Sequence, residues 1–318
     1  MAFSKWVLSL VAACAVSSGA VRAEQLAVEG VYAARTDGGR GVTEISIEPI
    51  RGREGIALEN ALADQLGSAR IYGEQYFRIV PSSFDNEGSE PGHAELRGFA
   101  NSRVYDASDG EIERTRCLRK IKHEDGEKEC VESVTAVYEC RRLHVEFRPD
   151  VALFSDEGAL YQRHSSYIPS AEAIIKPMIS RFARAVRLDL APKQRFDRIR
   201  ILESRSGLER SDRRAFKNAI KLTKTDPVGA CIAFEDILSR NPYQRSALYN
   251  AALCREADGQ LELAAEAYGQ LMLASDKDRF RNGMARVDSR FLAREQLASL
   301  SLPAVALASA SPQDASIE

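Results

Sequence analysis

The sequence is poor in the groups that most often carry out chemistry. It has four histidines, His93, His123, His144 and His164, and they are scattered. There is no CxxC and no Cys/His cluster at zinc spacing, which excludes the common zinc patterns. GxSxG, P-loop, HExxH and GxGxxG are absent, so no usual nucleophile, phosphate or dinucleotide signature is present. Gly38-Gly39-Arg40-Gly41 precedes a strand pattern rather than a helix and is badly placed to cradle phosphate. Cys140 and His144 share a strand face but stand about 13 Å apart at ~3.3 Å per residue, too far to chelate one ion or to act as a thiol–imidazole pair. Net charge is -2, so no global field points to nucleic acid. Past the N-terminus no apolar run approaches the length of a membrane-spanning helix. The expectation is no catalytic residue, no cofactor, no metal and no nucleic-acid partner.

What is present begins with an export signal. Lys5 is a short positive segment, Trp6 to Ala20 is apolar, and Ala20-Val-Arg-Ala23 is a small-residue cleavage site before Glu24. Val11-Ala12-Ala13-Cys14 also fits the pattern before a lipidated cysteine. Soluble secretion and a lipid anchor at Cys14 with peripheral membrane association therefore both stand. Export places the other five cysteines where disulfides persist. Cys231 and Cys254 fall on adjacent antiparallel helix patterns and form the first candidate pair. Cys117 and Cys130 flank a charged segment with an Asp125-Gly126 turn and form the second. Cys140 is then left over, although it could instead pair with Cys117 or Cys130.

The pattern along the chain divides it into a signal peptide (1–23), a Gly-rich linker (24–42), an α+β domain (43–192), a connector (193–210), an all-α domain (211–300) and a disordered tail (301–318). In the α+β domain, Thr43 to Ile50 alternates as a strand and Glu54 to Arg70 has helical spacing. Tyr76 to Pro81 is a second strand. Ala94 to Tyr105 is a third, ending at an Asp106–Gly110 turn. Val131 to Phe147 is a long strand, and Val151 to Tyr167 reads as a hairpin turning at Asp156-Glu157-Gly158. Ser170 to Leu190 is an amphipathic helix with Pro177 either kinking it or marking its start. The expected fold is α+β, an antiparallel sheet covered by two helices.

From Ser211 the period becomes helical. Asp226-Pro227 is an N-cap with proline at the first helical position, and Asp258-Gly259 is a helix-to-helix turn. Ala230 and Ala264, Phe234 and Tyr268, and Ile237 and Leu271 repeat at a spacing of 34 residues. Lys176 to Thr225 holds 15 Lys and Arg against 5 Asp and Glu. Its readings are solvated helix faces or a patch for an anionic partner.

The segment Ala247-Leu-Tyr-Asn-Ala-Ala-Leu-Cys-Arg-Glu-Ala-Asp-Gly259, with Ala264, Ala265 and Tyr268, resembles TPR proteins over about residues 211 to 275. Thr225 and Asp276 depart from the usual turn residues. The order of the first strand, the Glu54–Arg70 helix, Tyr76-Phe-Arg-Ile-Val80, Ala94-Glu-Leu-Arg-Gly98 and a last helix ending at Leu190-Ala-Pro192 looks like the α/β domain of CsgG-like envelope proteins. It is also similar to the N-terminal domain of TolB and to exported alphaproteobacterial proteins of this layout. The resemblance implies an assembly or accessory role without catalysis. CsgG forms a pore through membrane-spanning hairpins, but the charged stretch Arg114 to Lys128 is unsuited to lipid. The expected function is a non-enzymatic periplasmic envelope protein that binds a protein or peptide partner through its TPR module, with Lys217, Lys221 and Asn250 facing the partner. The rivals are a lipid-anchored outer-membrane oligomer subunit and an exported hydrolase whose site is assembled from distant residues.

Overall fold

A computed structural model describes residues 24–82, 91–124, 126–167 and 175–298; the side chains of 106–109 and 141–143 lie outside that description. The expected signal peptide, Cys14 and the tail from 301 onward are also outside the described residues. The architecture is mixed α and β, with seven helices and three sheets among the described residues. The divisions of the chain differ from those its sequence suggests. Residues 24–28 with 198–254 form one compact unit, and 29–197 with 255–298 form the other.

The larger unit is built on a five-stranded sheet. After β1 (Gln25–Tyr32), β2 (Glu44–Ile47) leads into α1 (Gly55–Gly67), and a small hairpin of β3 (Arg70–Ile71) and β4 (Glu74–Gln75) leads into β5 (Arg78–Val80). Next come β6 (His93–Lys122), β7 (Lys128–Ser155), β8 (Gly158–His164), α2 (Ile175–Leu190) and β9 (Lys193–Arg200). The sheet order is β5-β2-β6-β7-β8. β2 is parallel to both β5 and β6, while β6, β7 and β8 are antiparallel. The sheet is therefore mixed, not antiparallel throughout. A helical crossover such as α1 returns the chain to the same end of the sheet, so β2 and β5 must run the same way.

Alternation decides which side chains enter the core. Ile45, Ile47, Ala94 and Leu96 are buried with Leu58, Leu62 and Leu66 of α1 and Phe182, Val186 and Leu190 of α2. Pro177 lies in the first described turn of α2.

Three expectations from the sequence are corrected by the fold. The Asp106–Gly110 turn is not a turn: β6 runs on to Lys122, and a register shift between Ser108 and Glu111 absorbs the irregularity, with Gly110 at φ +96°. Glycine adopts that conformation freely, so a bulge carries the same local signature as a turn.

Residues 24–42 and 193–210 are not plain linkers, because they hold β1 and β9, which form a two-stranded sheet. The glycines here serve close packing. A Cβ on Gly30 would lie 2.6 Å from the Arg290 guanidinium, and one on Gly39 would lie 2.1 Å from the Leu190 carbonyl oxygen.

Finally, residues 211–300 do not stand as one domain. Of α3 (Arg210–Leu222), α4 (Pro227–Arg240), α5 (Arg245–Ala257), α6 (Leu261–Ala274) and α7 (Asp278–Ala298), the last two belong to the sheet-bearing unit. Ala293 and Leu297 pack in that unit's core. The Ala34 N–H donates to the Gln296 side-chain oxygen at 2.9 Å, and the Ala33 N–H to the Ser289 carbonyl at 3.0 Å.

In the smaller unit, α3 and α4 pack together, with the Phe216 and Phe234 rings 5.5 Å apart. Asp226 caps α4 as expected, accepting from the Gly229 N–H at 2.8 Å ahead of Pro227. Ala230, Phe234 and Ile237 are buried, and so, in the other unit, are Ala264, Tyr268 and Leu271. Gly259 takes the left-handed conformation that ends α5.

Candidate functional site

Both disulfides form as the sequence suggests, Cys117–Cys130 with Cα atoms 5.9 Å apart and Cys231–Cys254 with 5.5 Å. Cys140 is free and half-buried. Two disulfides fit a chain that folds in an oxidising environment outside the cytoplasm. No described helix is long and apolar enough to cross a membrane.

Helix α3 presents a one-sided charge distribution. Arg210, Arg214, Lys217 and Lys221 follow at i, i+4, i+7 and i+11, which is one row on a helix. All four are exposed. The opposite side buries Phe216, Ala219 and Asp212. Asp212 is the only acid in the helix, and it turns inward. Its Oδ1 accepts from Arg240 at 3.1 and 3.2 Å, and its Oδ2 accepts from the Asn241 amide at 2.7 Å. Those bonds, from Asn241 first and Arg240 second, hold its carboxyl below the usual range. The acid that could have neutralised the row is thus engaged elsewhere. Among the described residues none of the four cations has a carboxylate within ion-pair distance.

Asn250 is not a partner-facing residue. It is fully buried, its amide donates to the Leu202 carbonyl at 2.9 Å and its oxygen accepts the Leu202 N–H at 2.8 Å. It replaces a sheet or helix partner for an irregular backbone segment.

One constellation has the form of a catalytic triad, and the scattered histidines concealed it. Glu44 and Ser46 lie on the face of β2 turned away from the core, and His93 at the start of parallel β6 meets both. Ser46 Oγ is 3.2 Å from His93 Nε2, and His93 Nδ1 is 3.4 Å from Glu44 Oε1. The sequence signal is only Glu-x-Ser in a strand, which has no specificity. Two features weigh against catalysis. Ser46 is 4% exposed and sits within a paired strand, and the Glu44 carboxylate is already held by Arg78. A nucleophile needs an open approach, and the imidazole that takes its proton needs a carboxylate committed to orienting it. This arrangement instead closes a polar chain over the sheet.

A second buried network joins helices of the larger unit. The Glu256 side chain is fully buried and is gripped by Arg286 through Nε at 2.8 Å and Nη2 at 2.7 Å. The Tyr268 hydroxyl donates to the same carboxylate at 2.8 Å. Burial, then the charges of Glu256 and Asp197, push the Tyr32 phenol up. Asp189 is similarly enclosed, accepting from the Tyr161 hydroxyl at 2.7 Å and pairing with Arg163 and Arg35. Tyr76 is pushed up to about 12 by burial. Tyr32 and Tyr76 stay protonated through the physiological range, and Glu256 and Asp189 are tied to arginines, which suits fixed architecture better than proton transfer.

An exposed ribbon is formed by β6 and β7 beyond the sheet. Val104–Lys122 pairs with Lys128–Val145 and, among the described residues, with no other strand. At about 3.3 Å per residue this arm is roughly 60 Å long. Val104, Ile112, Leu118, Ile121, Val134 and Tyr138 are exposed along it, and the Cys117–Cys130 bridge ties its outer end.

No family model matches the chain and no curated protein matches it. Among solved structures it is similar to a variant PelC dodecamer from Paraburkholderia phytofirmans, 10% identical, covering 52% of this chain and 98% of that one, with a TM-score of 0.26. That likeness is too slight to carry an inference about fold or function.

Proposed function

We propose that this chain is a non-enzymatic protein of the bacterial cell envelope that acts in assembly by docking an acidic protein segment through a TPR-like helical module. The single observation that carries the reading is the row Arg210, Arg214, Lys217 and Lys221 on α3. Like charges at i, i+4 destabilise a helix by a few tenths of a kcal/mol per pair. A row of four that lacks carboxylate neighbours therefore stands against local stability. It spans roughly 16 Å at 1.5 Å per residue, the length over which a partner helix or extended peptide presents three or four carboxylates. The repeated burial of small, aromatic and aliphatic positions at Ala230, Phe234 and Ile237, and at Ala264, Tyr268 and Leu271, supports the TPR-like reading. The disulfides and the N-terminal signal support a periplasmic location; an outer-membrane lipoprotein anchored at Cys14 is the alternative.

The test places a photo-crosslinking residue at Lys217 or Lys221 in the native cell, with Arg279 on α7 as the control position. A discrete crosslinked protein is expected from α3 only. The variant Arg210→Glu with Arg214→Glu should lose that product while keeping its thermal midpoint. An unchanged product in that variant would refute the reading.

A further inference from the structure

Between its first two register shifts, over Glu111–Arg116 and Val134–Glu139, the β6–β7 ribbon has two chemically different faces, and their difference identifies what covers it. Directly paired residues in an antiparallel ribbon point to the same side, and sides alternate along each strand. One face carries the pairs Ile112–Tyr138, Arg114–Ala136 and Arg116–Val134. The other carries Glu111–Glu139, Glu113–Val137 and Thr115–Thr135, the two threonine hydroxyls 2.8 Å apart. The first face is thus cationic with apolar and aromatic neighbours, and the second is anionic with an exposed valine. Ile112, Val134, Val137 and Tyr138 are each about half exposed.

A lone two-stranded ribbon is marginal in water, and apolar side chains on both faces of a long arm mark a surface meant to be covered. Lipid does not fit, because both faces bear charges at mid-ribbon.

We propose that the ribbon is a self-association element. The cationic face of one copy packs on the anionic face of a second copy, with Arg114 and Arg116 against Glu111 and Glu113, and Ile112, Val134 and Tyr138 against Val137. The two faces also fix the symmetry. A two-fold contact joins a patch to itself, which here would set arginine against arginine or glutamate against glutamate. Only a head-to-tail contact brings opposite charges together, and head-to-tail contacts propagate into closed rings or filaments rather than stopping at a dimer. The ribbon contact uses residues and a partner distinct from those of α3, so either can fail without the other.

The test is sedimentation by analytical ultracentrifugation of the intact, oxidised chain at low and high salt. Assembly beyond the dimer is expected, weakening as salt rises. Arg114→Glu with Arg116→Glu makes both faces anionic, and Glu111→Lys with Glu113→Lys makes both cationic. Each double variant should assemble roughly tenfold more weakly or worse. An equimolar mixture of the two should recover assembly, and so should the quadruple variant with both faces exchanged. Circular dichroism and intact-mass analysis show whether every variant keeps its fold and both disulfides. A chain that stays monomeric at low salt, a dimer indifferent to the substitutions, or folded variants that fail to recover on mixing would each overturn the proposal. Indifference to charge would instead point to association along the free strand edges.

Discussion

Replacing Glu256 by Gln should destabilise the sheet-bearing unit more than any other isosteric change in the helices. The carboxylate is fully buried, and the guanidinium of Arg286 keeps only 15% of its side-chain surface in contact with solvent. Removing one partner of a buried pair leaves the other charge desolvated, which costs about 3–5 kcal/mol. The amide still accepts from Tyr268 and Arg286, and Arg286 is partly wet, so the lower end, about 3 kcal/mol, is expected. The measurement is the urea unfolding midpoint followed by far-UV circular dichroism, with the slope compared between variants. The double variant Glu256→Gln with Arg286→Met removes the stranded charge and should regain about 1–3 kcal/mol of coupling relative to the sum of the single changes. A loss under about 0.5 kcal/mol for Glu256→Gln would refute the claim that a buried ion pair holds this cluster, as surface pairs are worth that little.

Four further outcomes follow from the geometry. Cys231→Ser with Cys254→Ser should lower the urea midpoint of the unit holding α3 and α4 by the equivalent of about 3 kcal/mol; removing Cys117–Cys130 should leave the midpoint unchanged while trypsin cuts faster at Lys120 and Lys122. Asn250→Ala strands the Leu202 N–H and carbonyl and should cost about 2 kcal/mol in the same denaturation assay. A fluorophosphonate probe should leave Ser46 unlabelled by mass spectrometry; labelling that vanishes in His93→Ala would restore the hydrolase reading. The Asp212 carboxyl is lowered in the fold, so its contribution is present above the unfolded value of about 4 and is lost as pH falls toward the folded value. Urea midpoints at pH 7 and pH 3 should therefore differ less in Asp212→Asn than in the unaltered chain.

Local chemistry is legible in the sequence where it acts alone. Asp226-Pro227 starts α4, Gly259 ends α5, and the repeat of small, aromatic and aliphatic residues locates α4 and α6. Cys231 and Cys254 can be paired because the helices that carry them can be placed. What stays hidden depends on tertiary surroundings. Gly30 and Gly39 look like flexibility in a sequence but are contact points in the fold. Gly110 marks a bulge, and nothing local distinguishes a bulge from a turn. Asn250 reads as an exposed polar group, since only the fold reveals that the Leu202 backbone needs a partner. Glu256 and His93 carry no signal, because their partners lie far away in the chain. Lys217 and Lys221 are exposed, as their helical spacing implies, whereas the segregation of ribbon charges depends on the register of β6 against β7.

The chain order of the larger unit has a consequence in time. Its core includes Val31 and Ile45 near the beginning and Ala293 near the end, with residues 198–254 interposed. A chain delivered N-terminus first cannot seal that core until its last helix arrives. Helices α1 and α2 cover most of the sheet early, but the part of the core beside Ala293 and Leu297, and the Ala34 N–H that Gln296 accepts, wait for α7. A product cut short before residue 293 would leave that part of the core open to water however well its early strands had paired.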